Sequence, residues 1–269
     1  MLRRIIVIVG MPRSGTSWLG QIVDSSPEVR FRLSPLFSYA FKNAVDEHSS
    51  RDEYLRVFQG AYESDDLFMS QAERRRVGQY PVFEHKNDEP EFLAIKITRF
   101  HNLIARMLDL FDDLRMVGIV RHPCGAIHSW LTTAREFPPD ADPMKEWRTG
   151  ACRKTGPEEF WGFEDWKKVT ALHMRLEEAL PDRFRIVRYE DLVDHAARET
   201  RKLFDFLGLL YGEQTDRFLK ASQRRHDEDS HAVFKDPSVK LRWRRELDRG
   251  IQREIIGEIE ETNLRRFIA

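Results

Sequence analysis

The chain has 269 residues, 41% of them hydrophobic and 33% charged, enough for one large α/β core or two small ones. Lysine and arginine (44) nearly balance aspartate and glutamate (45), and the formal net charge of −1 excludes a global field that draws the protein to nucleic acid or to an anionic membrane. Apolar runs are far too short for a bilayer span, and Cys124 and Cys152 have neither metal-ligand spacing nor the numbers for a disulfide framework, so a reducing cytoplasm is the expected setting.

The first informative stretch is Arg4 to Val23, RIIVIVGMPRSGTSWLGQIV. Two arginines lead from Met1 into an apolar core, Ile5–Val9, too short for a signal peptide but typical of a strand buried on both faces. Gly10 ends it, Pro12 and Gly15 shape a short loop, and Trp18, Leu19, Ile22 and Val23 recur at helical spacing over 16–25. A strand, a glycine-bounded loop and a helix start present backbone N–H groups and a positive helix end to a phosphate. The Walker A pattern requires lysine straight after the second glycine. Here Thr16 and Ser17 follow Gly15, and the cation, Arg13, sits inside the loop. Such a loop is poorly equipped for β- and γ-phosphates and well suited to a terminal 5′-phosphate with a cation over a neighbouring group. An ordinary tight turn would not combine the glycines, hydroxyls and cation.

Beyond it, Val29–Leu33 reads as a second strand and Tyr39–Glu47 and Arg51–Glu63 as helices. The polar stretch 64–91 reads as a lid or acceptor-binding insertion. Phe92–Ile97 is a third strand, followed by an amphipathic helix near Asn102–Phe111. Met116–Val120 is a buried strand ending in Arg121, and Pro123 opens a helix to about Thr133. Ser129 lies two turns beyond His122, facing the strand end, and Gly125 permits a close approach. An arginine and a hydroxyl above a helix start form a phosphate site. A magnesium-dependent NTPase would carry aspartate at that strand end. Residues 135–157, rich in proline, read as a loop. A helix over 158–180, a strand Phe184–Arg188, helices at 190–207 and 212–222, a loop over 223–241 and a helix from about 248 complete the chain. Alternating strands and helices predict an α/β fold with a central parallel sheet covered by helices on both faces, in one domain over 1–269 with insertions at 64–91 and 135–157.

The stretch PRSGTSWL, Pro12–Leu19, resembles the 5′-phosphosulfate loop of the sulfotransferases that use 3′-phosphoadenylyl sulfate (PAPS), roughly [PR]-[KR]-[SG]-G-[TS]-[TS]-x-[LF]. The arginine ending a strand and the serine eight residues later, Arg121 and Ser129, match that family's 3′-phosphate motif, and RIVRYEDLV (Arg185–Val193) resembles its [RF]-Y-E-D-L segment. The resemblance implies a P-loop-like fold, PAPS as co-substrate, no metal, and in-line sulfuryl transfer to a hydroxyl or amine of a small-molecule or glycan acceptor. It implies that Arg13 stabilises the bridging oxygen and that Ser14, Gly15, Thr16 and Ser17 hold the 5′-phosphate. Trp18 would stack on adenine, Tyr189 would lie near the nucleotide, and Lys235 or Lys240 would reach the 3′-phosphate. The cytosolic branch supplies a lysine and a histidine base through a K-x-H. Here Lys96 matches and Thr98 replaces the histidine, so His101 is the expected base, with His122 and Glu84 as alternatives. An atypical P-loop kinase and a non-catalytic nucleotide-binding relative remain as other readings.

Overall fold

The computed structural model describes residues 4–268, so the lead-in from Met1 lies outside them. Five strands, β1 (Arg4–Val9), β2 (Val29–Leu33), β3 (Phe92–Ile97), β4 (Arg115–Val120) and β5 (Phe184–Arg188), form one parallel sheet in the order β2-β3-β1-β4-β5. The strand in the middle is the first in sequence, so the chain leaves β1 to one side and returns on the other. The crevice this leaves at the carboxyl ends is the usual ligand position in such sheets.

The unbroken apolar run of β1 is explained by burial on both faces. Ile6 and Ile8 pack with Leu19, Ile22 and Phe204 on one face, and Ile5, Val7 and Val9 with Val57, Phe58 and Met107 on the other. Edge strand β2 instead alternates buried Val29, Phe31 and Leu33 with arginines. One of these, Arg32, donates to the carbonyls of Ala61 (2.9 Å) and Ser64 (2.8 Å).

The helices are α1 (Thr16–Asp24), α2 (Arg51–Glu63), α3 (Leu67–Ser70), α4 (Ala72–Arg76), α5 (Ile104–Leu110), α6 (Pro123–Leu131), α7 (Pro143–Thr149), α8 (Gly162–Ala179), α9 (Tyr189–Asp194), α10 (Ala196–Leu207), α11 (Glu213–Arg224), α12 (Trp243–Glu246) and α13 (Arg249–Glu260). Tryptophans from α6, α7 and α8 and isoleucines from α13 make a third cluster behind the end of β4.

Five segments depart from expectation. Tyr39–Glu47 is a run of turns, because Asn43 is left-handed (φ 57°) and Asp46 and Ser49 bond to nearby backbone instead of continuing a helix. Residues 135–157 contain α7, capped by the Asp142 side chain on the Met144 N–H, started by Pro143 and ended by left-handed Gly150. The helix expected over 190–207 breaks at His195, and α8 starts only at Gly162. The 64–91 stretch carries α3 and α4 and is docked: Arg75 and Lys86 reach Asp24 (2.7 and 2.9 Å), and Tyr80 is buried.

Candidate active site

The loop between β1 and α1 is shaped by backbone geometry that few residues tolerate. Gly15 has φ 93°, and a Cβ there would stand 2.6 Å from the Tyr189 ring. Gly15 also occupies the N-cap of α1 without a side-chain cap, which leaves the positive helix end and its first N–H groups free for an anion. Arg13 is itself left-handed (φ 69°), a strained state for a non-glycine that surrounding contacts must hold. The contact is Arg121: its Nη1 donates to the Arg13 carbonyl at 3.0 Å.

Around this loop lies a cleft of about 390 Å³. The Arg13 side chain crosses it, donating through Nε to Ser129 Oγ (3.2 Å) and through Nη2 to the Ser230 carbonyl (2.8 Å), with Nη1 3.6 Å from Glu136. Burial pulls the guanidinium below its ordinary range, and the Glu136 carboxylate opposes that shift. Arg121 lies over the Tyr189 ring, 4.7 Å from its centre, and its Nε is buried without a hydrogen-bond partner. The close approach expected at Gly125 is made by this side chain: a Cβ there would come 3.0 Å from Arg121 Nε. Lys96, at the end of β3, donates to Ser17 Oγ at 2.9 Å, and burial pushes its ammonium down to about 8. Trp18 forms the opposite wall, edge-on to Tyr189 at 6.3 Å, with Nε1 donating to Ser222 Oγ (3.0 Å).

The structure thus brings Arg13, Gly15, Thr16, Ser17, Trp18, Lys96, Arg121, Ser129, Tyr189 and Lys235 to one cleft. Other expected residues lie elsewhere. The Ser14 hydroxyl is turned into the protein, 1% exposed. Lys240 is engaged by Asp194, whereas Lys235 is folded back on the carbonyls of Asp227 and Asp229.

The expected base is not at the cleft. His101 is 1% exposed, packs edge-on against Phe160 at 4.9 Å, and is pushed down to about 4 by burial. A ring sealed in the core, on the 3₁₀ turn before α5 and beside His173, has no path to an acceptor proton. The alternatives fare no better. His122 stacks on Trp243 at 4.3 Å with Nδ1 accepting from the Cys124 N–H, and Glu84 is an exposed residue of the insertion. Neither lines the cleft. Among the described residues, no group of three His, Cys, Asp or Glu side chains is placed to hold a metal ion.

The sequence profile of the sulfotransferase family matches residues 5–213. The chain belongs to the sulfotransferase family. Carbohydrate sulfotransferase 1 of Danio rerio is 23% identical over 76% of this chain and 62% of its own length, so the chain spans less than two thirds of that relative. A mouse sulfotransferase solved in complex with PAP superposes with a TM-score of 0.59 at 14% identity, over 98% of this chain and 86% of its own. A sulfotransferase from Alicyclobacillus acidocaldarius gives 0.57 at 14% identity, over 100% and 96%. At such identities these likenesses establish the shared fold.

Several residues lining the cleft escaped the sequence motifs: Glu136, Arg153, Trp161, Ser222 and His231. Four come from three separate connections and Ser222 from α11, and only the folded chain draws them together. Ser222 alone had a local signal, as a polar residue on the buried face of α11. The 226–235 loop closes one side, tied down by Arg13 on Ser230 and by Arg74 Nη1 donating to the His231 carbonyl at 3.3 Å. No helix among the described residues is long and apolar enough to cross a membrane.

Proposed function

We propose that the protein transfers the sulfuryl group of PAPS to an acceptor hydroxyl or amine, in line and without a metal. The observation that carries this reading is the meeting of Arg13, Arg121 and Ser129 at the uncapped start of α1, with an arginine at the β4 end where a magnesium-dependent phosphoryl transferase places aspartate.

The free helix end and the Thr16 and Ser17 hydroxyls hold the 5′-phosphate, and Lys96 adds its charge there. Arg121 and Ser129 take the 3′-phosphate, and the buried, unpartnered Arg121 Nε supports this as a donor in want of an oxyanion. Trp18 and Tyr189 flank the adenine side. Arg13 stabilises charge on the bridging oxygen as the S–O bond breaks, an interaction strongest in the transition state. For this it exchanges the Ser230 carbonyl for the phosphosulfate. Lys235 adds a further cation on the nucleotide side once released from its loop carbonyls.

The acceptor enters at the opposite end, where Thr98, Arg99, Arg153 and Trp161 line the cleft and a side cavity of about 130 Å³ opens past Phe37 and Phe100. A small-molecule or glycan acceptor fits this polar, cation-rich end, in keeping with the name of the zebrafish relative. A cytoplasmic setting belongs to the same reading, supported by the free thiols Cys124 and Cys152. The test is a thermal shift with PAP, the adenosine 3′,5′-bisphosphate product, against ATP with magnesium, followed by PAPS turnover with an acceptor panel. Stabilisation by PAP and release of PAP from PAPS are expected. Stabilisation by ATP with magnesium alone would overturn the reading.

A further inference from the structure

We propose that Glu136 is the general base that takes the proton of the acceptor, a role that rests on the sulfuryl-transfer reading above. Three carboxylates line the cleft among the described residues: Glu136, Glu228 and Asp236. The Glu228 side chain is 89% exposed, and Asp236 caps the turn at 237–241. Glu136 alone is withdrawn into the cleft, with its side chain 18% exposed. Its backbone is clamped on both sides, the N–H donating to the Thr133 carbonyl (2.8 Å) and the carbonyl accepting from Trp130 Nε1 (3.3 Å). A carboxylate carried on such a firm turn after α6 is positioned before any acceptor arrives.

Its surroundings fit the reacting end. Oε1 lies 3.6 Å from Arg13 Nη1 and 3.8 Å from His231 Nδ1, and the carboxylate also acts through space on the Lys96 ammonium. Glu136 therefore stands within the field of two cations at the scissile bond: Arg13, assigned to the bridging oxygen, and Lys96, assigned to the 5′-phosphate. Its other oxygen, Oε2, is buried with no hydrogen-bond partner. Buried carboxylate oxygens are costly to leave unpaired, and an acceptor O–H or N–H supplies the missing donor. A mere counterion of Arg13 would grip the guanidinium through two short bonds. Instead the donors of Arg13 go to Ser129 and Ser230, and Glu136 stays at 3.6 Å.

In the step, the acceptor oxygen attacks the sulfur as its proton passes to Oε2 of Glu136. The bond from sulfur to the bridging oxygen breaks, and its electron pair remains on the 5′-phosphate of PAP. Glu136 then releases the proton to water. The role lost with Thr98 in place of a histidine is thus filled from a different connection.

The test compares wild type with Glu136→Gln, Glu136→Asp and His231→Asn. Release of PAP from PAPS is followed with water and with a panel of sugars, phenols and aliphatic alcohols, beside a PAP titration. Glu136→Gln should lower turnover about 10²–10³-fold and abolish the fall in rate on the acid side of the pH profile. It should leave PAP affinity unchanged or tighter, because a negative charge beside Arg13 is removed. Glu136→Asp should keep the acid limb. Turnover in Glu136→Gln within about threefold of wild type, a parallel loss of PAP affinity, or loss of the acid limb in His231→Asn instead would each overturn the proposal. A wild-type protein that binds PAP yet releases none from PAPS overturns the transfer reading itself, and this role with it.

Discussion

Arg121→Ala separates the proposed recognition of the 3′-phosphate from support of the loop, because Arg121 is assigned to the first and bonded to the second. Its Nη1 bonds the Arg13 carbonyl at 3.0 Å, its guanidinium covers Tyr189, and its Nε is buried without a partner. A charge-assisted hydrogen bond to a phosphate contributes roughly 1.5–3 kcal/mol, which corresponds to about a 10- to 150-fold rise in the Kd for PAP. Losing the bond to the strained Arg13 backbone contributes about 1 kcal/mol more, and that part falls on any ligand using the loop. Adenosine 5′-phosphosulfate, which lacks the 3′-phosphate, should therefore weaken only about fivefold. Isothermal titration with both ligands reads the difference directly, and a thermal melt checks that the variant is folded. Equal losses for the two ligands would remove Arg121 from the 3′-phosphate site and leave it a loop prop.

Arg13→Ala should lower kcat about 10²–10³-fold with a smaller change in PAPS affinity, and Arg13→Lys should restore much of the rate; an unchanged kcat would make Arg13 a ground-state binder. Lys96, held at about 8 by burial with Glu136 opposing, loses its proton in the free protein as pH rises through that value. PAP binding near pH 8 should then take up a proton, with affinity falling at higher pH, and titration in two buffers of different ionisation enthalpy measures this; Lys96→Met should abolish the uptake. By the same linkage the free protein should gain stability between about 8 and the unfolded lysine value, where the unfolded chain binds the extra proton. Burial disfavours the Asp24 carboxylate, yet Lys86 and Arg75 outweigh it and hold the carboxyl below its usual range. Asp24→Asn should cost about 3 kcal/mol in urea unfolding at neutral pH and expose 64–91 to protease. The wild-type advantage should vanish as pH falls below the carboxylate range, and equal stability at pH 7 would show that the insertion is held elsewhere.

Strands and glycine-bounded turns are written locally, and here they were legible. The apolar runs at 5–9, 92–95 and 116–120 have only one burial that suits them, between two layers of helices, and so they implied the parallel sheet. Gly10, Arg13, Gly15, Thr16 and Ser17 lie within one short stretch, so their spacing alone reports the strand-to-helix loop. Arg121 and Ser129 are joined by a single helix and were readable for the same reason. Helix boundaries were less so where side chains compete for the backbone, as Asp46 and Ser49 do against a helix over 39–47.

What the sequence by itself determined is the half of the cleft built from the β1–α1 loop and the start of α6, because each of its groups is fixed to the next by a few residues of regular backbone. What the tertiary structure alone decided is which distant side chains face that half. His101 is close in sequence to the end of β3, but the 3₁₀ turn at His101–Leu103 carries its ring into the core against Phe160. Glu136 and His231, from two connections without regular periodicity, meet at 3.8 Å beside Arg13. Their position depends on the docking of α6 and of the 226–235 loop, and that docking is set by packing between elements far apart in the chain, which no local spacing encodes.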